Sequence, residues 1–128
     1  VVTDREKLAQ MAEANGRVAR MLNQAAAAIL VCGDLDRAFP PAPDFWVIDA
    51  AIAAQNMTLA ANDLGIGSVW LGTWPDEKRV KRQAAIFQLP ETIVPHSILA
   101  LGYPAEDIDM RAVRPSRYEE NRVHVNQW

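Results

Sequence analysis

Apolar and polar positions alternate along this chain in a few clear periods. Leu8, Met11 and Ala12 recur at the three-to-four spacing of an amphipathic helix. Thr3 and Glu6 have the T-x-x-E spacing of a capping box, which predicts a helix start near Asp4, and Asn15-Gly16 ends it. A second, short helix is predicted over 17–24. Residues 25–32, AAAAILVC, are continuously apolar and predict a strand buried on both faces, although the alanines could equally extend the helix. Residues 33–45 carry prolines at 40, 41 and 43 and read as a loop. A long helix is predicted over 44–64, with Gly65 as its stop. Its middle, IDAAIAAQNMTLAAND, is apolar nearly all round, which predicts burial on most sides, in a central or subunit-interface helix.

A short strand is predicted over 68–71. Pro75 suits the first turn of the next helix, with Thr73 or Trp74 near its cap, and that helix stops before Pro90. VPHSILALGYP predicts another strand over 94–103. The tail from 111 to 128 is polar and irregular, with arginines at 111, 114, 117 and 122. Val1-Val2, two β-branched residues running straight into the capping box, read as the last rungs of a core strand, which predicts a further segment upstream. Helices alternating with few strands predict one domain, an α/β or α+β sandwich of helices on one sheet.

Composition narrows the function. The chain has 128 residues, half of them apolar, and a formal charge of −3. A sequence-independent nucleic-acid binder is normally basic, so that class is disfavoured. The single cysteine, Cys32, excludes an internal disulfide and a multi-cysteine metal site. It suits a reducing compartment, so a cytoplasmic location is expected. No apolar run reaches the roughly 18 residues of a membrane span, and none reads as a signal peptide.

Acid–base and nucleophilic chemistry leave little trace. His96 and His124 lie far apart, no spacing suits a metal, and Ser68 and Ser97 lack the G-x-S-x-G elbow. LGIGSVWLG, residues 64–72, holds three glycines in nine residues. A dinucleotide fingerprint needs its glycines after a strand and opening a helix, whereas these end a helix and begin a strand. Glycines so placed shape a tight turn or leave room for something to approach the backbone. The tryptophans at 46, 70, 74 and 128 suit core or interface anchors. The tail arginines are either a solvated charge group or a grip on phosphate.

Taken together, VVTDREKL, ILVCGD, FWVIDAAIAAQNMTLAANDLGIGSVWLG, LPETIVPHSILALGYP and RVHVNQW, in that order over nearly the whole chain, resemble the FMN-dependent nitroreductase family. The resemblance implies an α+β fold, an α/β sandwich with a central mixed sheet flanked by helices, and bound FMN that takes hydride from NADH or NADPH and passes it to a nitroaromatic, quinone or similar acceptor. It places Trp70, Leu71 and Gly72 beside the flavin ring, with Thr73 at the margin, and leaves Gly65 and Gly67 to the helix-to-strand turn. It places Arg117, with Arg114 second, at the FMN phosphate. It implies a homodimer with FMN between the subunits and the helix over 49–63 at the seam. The family's upstream arginine- and serine-rich phosphate motif, and the asparagine, glutamine, proline and tryptophan motif after it, are not in this chain. A flavin-free structural or binding relative, or a flavin-destructase or dehalogenase-type member of the same fold, therefore stays open.

Overall fold

The computed structural model describes residues 1–106, 108–109, 112 and 115–128. Three strands form one sheet in the order β1-β3-β2: β1 is Ala27–Asp34, β2 is Gly67–Gly72 and β3 is Ile93–Gly102. The resemblance implies a mixed sheet. Both strand pairs are antiparallel, as is the bridge that joins Val2 to Ala28 on the outer edge of β1. Val2 is buried there and exchanges both main-chain hydrogen bonds with Ala28, while Val1 is exposed.

Helices cover both faces. On one, α1 (Arg5–Asn15), a 3-10 segment (Arg17–Asn23) and α3 (Glu77–Phe87) bury Leu8, Met11, Ala12, Leu22 and Phe87 against Val2, Ala28, Leu71, Ile98 and Ala100. On the other, α2 (Trp46–Asp63) lays Ala50 and Ala54 on Val31 and Leu99, flanked by Trp46, Met57, Ile29 and Leu101. The period of two sorts β3 cleanly: Ile98 and Ala100 face α1 and α3, and Leu99 and Leu101 face α2.

Local chemistry moved several boundaries. The first helix is capped by Asp4, whose side chain accepts from the Lys7 amide at 2.8 Å, so the cap falls one residue after Thr3. Gly16, with φ of 83°, ends that helix in a conformation costly for other residues. Ala25 still belongs to the preceding turn, its amide bonded to the Met21 carbonyl, so β1 begins two residues late and runs on to Asp34. The third helix is capped by Asp76, which accepts from the Lys78 and Arg79 amides; Pro75 lies before it, after a cis peptide bond with Trp74. Neither Thr73 nor Trp74 caps it.

The largest departure concerns α2. Its apolar residues go nearly all round, yet within this chain only Ala50, Ala54 and Ala61 are buried. Ile48, Ile52 and Leu59 stand exposed on the side away from the sheet. One sheet covers one stripe of a helix, so an all-round apolar helix keeps a bare side unless something else packs on it.

Gly33, in β1, lies directly beneath the Trp46 indole, which fills the space that a Cβ would need. We expect Gly33→Ala to push α2 off the sheet and to cost about 1–3 kcal/mol, as overpacked cores do. Chemical denaturation followed by tryptophan fluorescence measures it; unchanged stability would mean that α2 is free to shift.

Candidate active site at the edge of the sheet

The three glycines of residues 64–72 serve three different ends. Gly65 has φ of 72° and turns the chain out of α2. A Cβ on Gly67 would come 3.2 Å from the Gly102 carbonyl oxygen across the sheet. Gly72 has neither reason. Its φ lies outside the left-handed region, and an added Cβ would meet only the Trp70 ring at 3.5 Å and the Trp74 carbonyl oxygen at 4.0 Å, both ordinary contacts. Nothing among the described residues requires a glycine there.

Its setting is specific. The Thr73 amide donates to the His96 carbonyl at 3.1 Å, which puts that pair in hydrogen-bonding register. Antiparallel alternation then turns the main-chain groups of Leu71 inward to β3 and those of Trp70 and Gly72 to the outer edge of β2. No strand pairs with that edge among the described residues. The Gly72 carbonyl is held by Asn15 Nδ2 at 3.1 Å and an Arg79 guanidinium nitrogen at 3.2 Å. Its N–H is left facing outward.

An aromatic cluster reaches across the sheet from Gly33 on β1 to Trp70 on this edge strand. Trp46 and Trp74 meet edge to face at 5.2 Å between centroids, and His96 lies edge to face with both Trp46 and Trp70 at 5.9 Å. Trp70 and Trp74 keep 42% and 38% of their surface exposed, while His96 is buried. A β-bulge puts His96 there. Val31 pairs with Ser97 and Cys32 with Pro95, so His96 is the extra residue on β3, next to a proline that cannot donate to the ladder. Pro95 inside an apolar run is the sequence signal for this bulge; the spacing of His96 from His124 bears only on metal binding.

The remaining candidates sit elsewhere or serve the core. Leu71 is buried among Leu8, Met11 and Ile98, directly beneath the edge. Arg117 is exposed on the tail, with no hydrogen bond or ion pair among the described residues. Arg114 lies outside the described residues. Cys32 lines a cleft of about 520 Å³ between β1, the Arg37–Pro40 loop and α2, on the β1 side of Trp46. Burial pushes its thiol up to about 11, so it stays protonated near neutral pH and is a poor nucleophile. Among the described residues no cluster of three metal-ligating side chains exists, and no helix is long and apolar enough to cross a membrane.

Comparison with known proteins decides the family. The model of the Nitroreductase family matches residues 2–103. The chain belongs to the nitroreductase family. Two archaeal relatives, each provisionally named an NADH dehydrogenase/NAD(P)H nitroreductase, align along all 128 residues. The one from Archaeoglobus fulgidus is 43% identical, and the one from Methanothermobacter thermautotrophicus 40%. The chain spans 72% of the first and 63% of the second. Among solved structures, an FMN-dependent nitroreductase from Clostridium difficile superposes with a TM-score of 0.82 at 27% identity, over 99% of this chain and 73% of that one. The nitroreductase fold expected from the sequence is therefore the observed one.

The buried His96 ring yields a pH prediction. Burial lowers its pKa from 6.5, because the charged imidazolium loses solvation. The unfolded chain then binds the proton more readily than the fold. Stability from this group is full above pH 6.5 and is lost as pH falls below it towards the folded value. We expect His96→Gln to flatten this part of the pH dependence. Parallel denaturation curves for the two proteins below pH 6.5 would contradict it.

Proposed function

We propose that this chain forms the ring-binding part of an FMN-dependent oxidoreductase that uses NADH or NADPH to reduce a nitroaromatic, quinone or similar acceptor. The observation that carries this reading is Gly72, a glycine that nothing among the described residues requires, at a sheet edge with no partner strand among them and with its N–H turned outward. A flat ring can approach a backbone that carries no side chain, and a main-chain N–H can bond a polar atom on the ring's edge. The FMN-dependent name of the C. difficile neighbour and the NAD(P)H in the names of the archaeal relatives support the same cofactors.

In the proposed site, FMN supplies the ring that accepts hydride and gives it up again, and the protein supplies position and electrostatics. Trp70 and Gly72 present the edge. Leu71 anchors the strand in the core beneath it. Arg117, with Arg114 as the alternative, brings charge to the phosphate, where arginine's fork fits the oxygens. No side-chain acid, base or nucleophile is assigned, in keeping with chemistry that belongs to the flavin.

The test contrasts two variants and two ligands. Gly72→Val leaves the strand intact, since β-branched residues suit strands, and weakens FMN and riboflavin alike by about tenfold or more. Arg117→Ala weakens FMN by about ten- to a hundredfold and leaves riboflavin, which has no phosphate, nearly unchanged. Flavin fluorescence quenching reads both. Unaltered flavin affinity in Gly72→Val would remove the edge from the site, and equal loss of both ligands in Arg117→Ala would make that arginine structural.

We further propose a homodimer in which the bare side of α2 packs on the second subunit. The all-round apolar character of α2, with Ile48, Ile52 and Leu59 exposed, supports it. Ala54 is fully buried against the sheet, so a test there would only break the core. Ile52→Glu with Leu59→Glu should halve the mass measured by light scattering while circular dichroism stays the same. A dimer that survives both changes would place the seam elsewhere.

A further inference from the structure

Asn15 is the last residue of α1, and it is wholly buried. A buried amide is costly unless its donor and acceptor are both used. Here both are, and both partners lie at the exit of β2. Asn15 Nδ2 donates to the Gly72 carbonyl at 3.1 Å, and Asn15 Oδ1 accepts from the Thr73 hydroxyl at 3.0 Å. The Gly72 carbonyl can only accept, which fixes the orientation of the amide. Arg79 on α3 donates to the same carbonyl and is itself held by Asp76 at 3.3 Å. One step further along, the Thr73 and Trp74 amides both donate to the His96 carbonyl.

Two helices thus hold the peptide plane between Gly72 and Thr73. Glycine has the widest conformational freedom of any residue, and a strand exit is where that freedom is least restrained by the ladder. We propose that Asn15 is a positioning residue: with Arg79 it removes the freedom that Gly72 brings and so presents the edge of β2 in the one geometry that suits the flavin ring. This rests on the reading of that edge as the FMN site. It explains why the two buried polar side chains of this cluster, Asn15 and Thr73, bond to each other and to the exit of β2. A buried amide kept only for stability could bond to any main-chain group; this one bonds at the single position where the site requires glycine.

The experiment uses the intact 15N-labelled protein and has two readouts. The first is amide hydrogen exchange without flavin. Asn15→Leu, similar in size but unable to hydrogen-bond, should speed exchange at Thr73 and Trp74 by about tenfold relative to Leu99 and Ala100 in β3. The second is FMN affinity at a temperature where the variant is folded, which should fall by about tenfold. If Asn15→Leu does not fold, Arg79→Met serves, because that side chain is partly exposed and its loss spares the core. Exchange that rises equally at Leu99 and Ala100 would show a general structural role and overturn the proposal. Local loosening with unchanged FMN affinity would overturn it as well. A wild-type protein that binds no FMN would instead sink the reading of the site, and that result is visible before any variant is made.

Discussion

The central strand β3 is the constraint on which the rest depends. It is paired on both edges and covered on both faces, so each of its residues has to satisfy a ladder and a core at once. Ile98 and Ala100 commit one face to α1 and α3, and Leu99 and Leu101 commit the other to α2. A one-residue slip would exchange those faces, so the register is strongly specified. The one irregularity, at Pro95-His96, falls where β1 and β2 reach the aromatic cluster. It lifts His96 out of the β1 ladder, lets its carbonyl collect the Thr73 and Trp74 amides, and sets its ring edge to face with Trp46 and Trp70.

From that bulge the site follows. Because the His96 carbonyl takes the Thr73 amide, the alternation along β2 is fixed and Trp70 and Gly72 turn outward. An outward-facing sheet edge is ordinarily a liability that proteins cover or charge. This one is instead flanked by indole rings and ends at a glycine whose carbonyl two helices hold. An edge built in this way is suited to a flat ligand with polar atoms along its rim.

Much of this was legible in the sequence, and the exceptions have physical causes. The strands, the amphipathic α1 and the stop at Gly65 follow from period and glycine chemistry. The cap of α1 was misplaced because Thr3 and Asp4 are both good caps and only the geometry chooses between them. Pro75 looked like a helix start, but Asp76 offered the amides a carboxylate and the helix began after it. Within one chain α2 is buried along one stripe only, because hydrophobicity does not say which neighbour does the burying. At the site, the glycine cluster was visible but its division of labour was not, since only the built backbone separates a positive φ from a close carbonyl and from open space. Asn15 carried no sequence signal beyond its place at a helix end, because its partners lie 57 and 58 residues away.

The central claim is that the outer edge of β2 receives the flavin ring. The most direct measurement is an FMN titration of the 15N-labelled protein, following every backbone amide. The account predicts that the largest shifts fall on Trp70 and Gly72, with the Cys32 cleft and the outer face of α3 little changed. Shifts centred on the Cys32 cleft, with Trp70 and Gly72 unmoved, would contradict it.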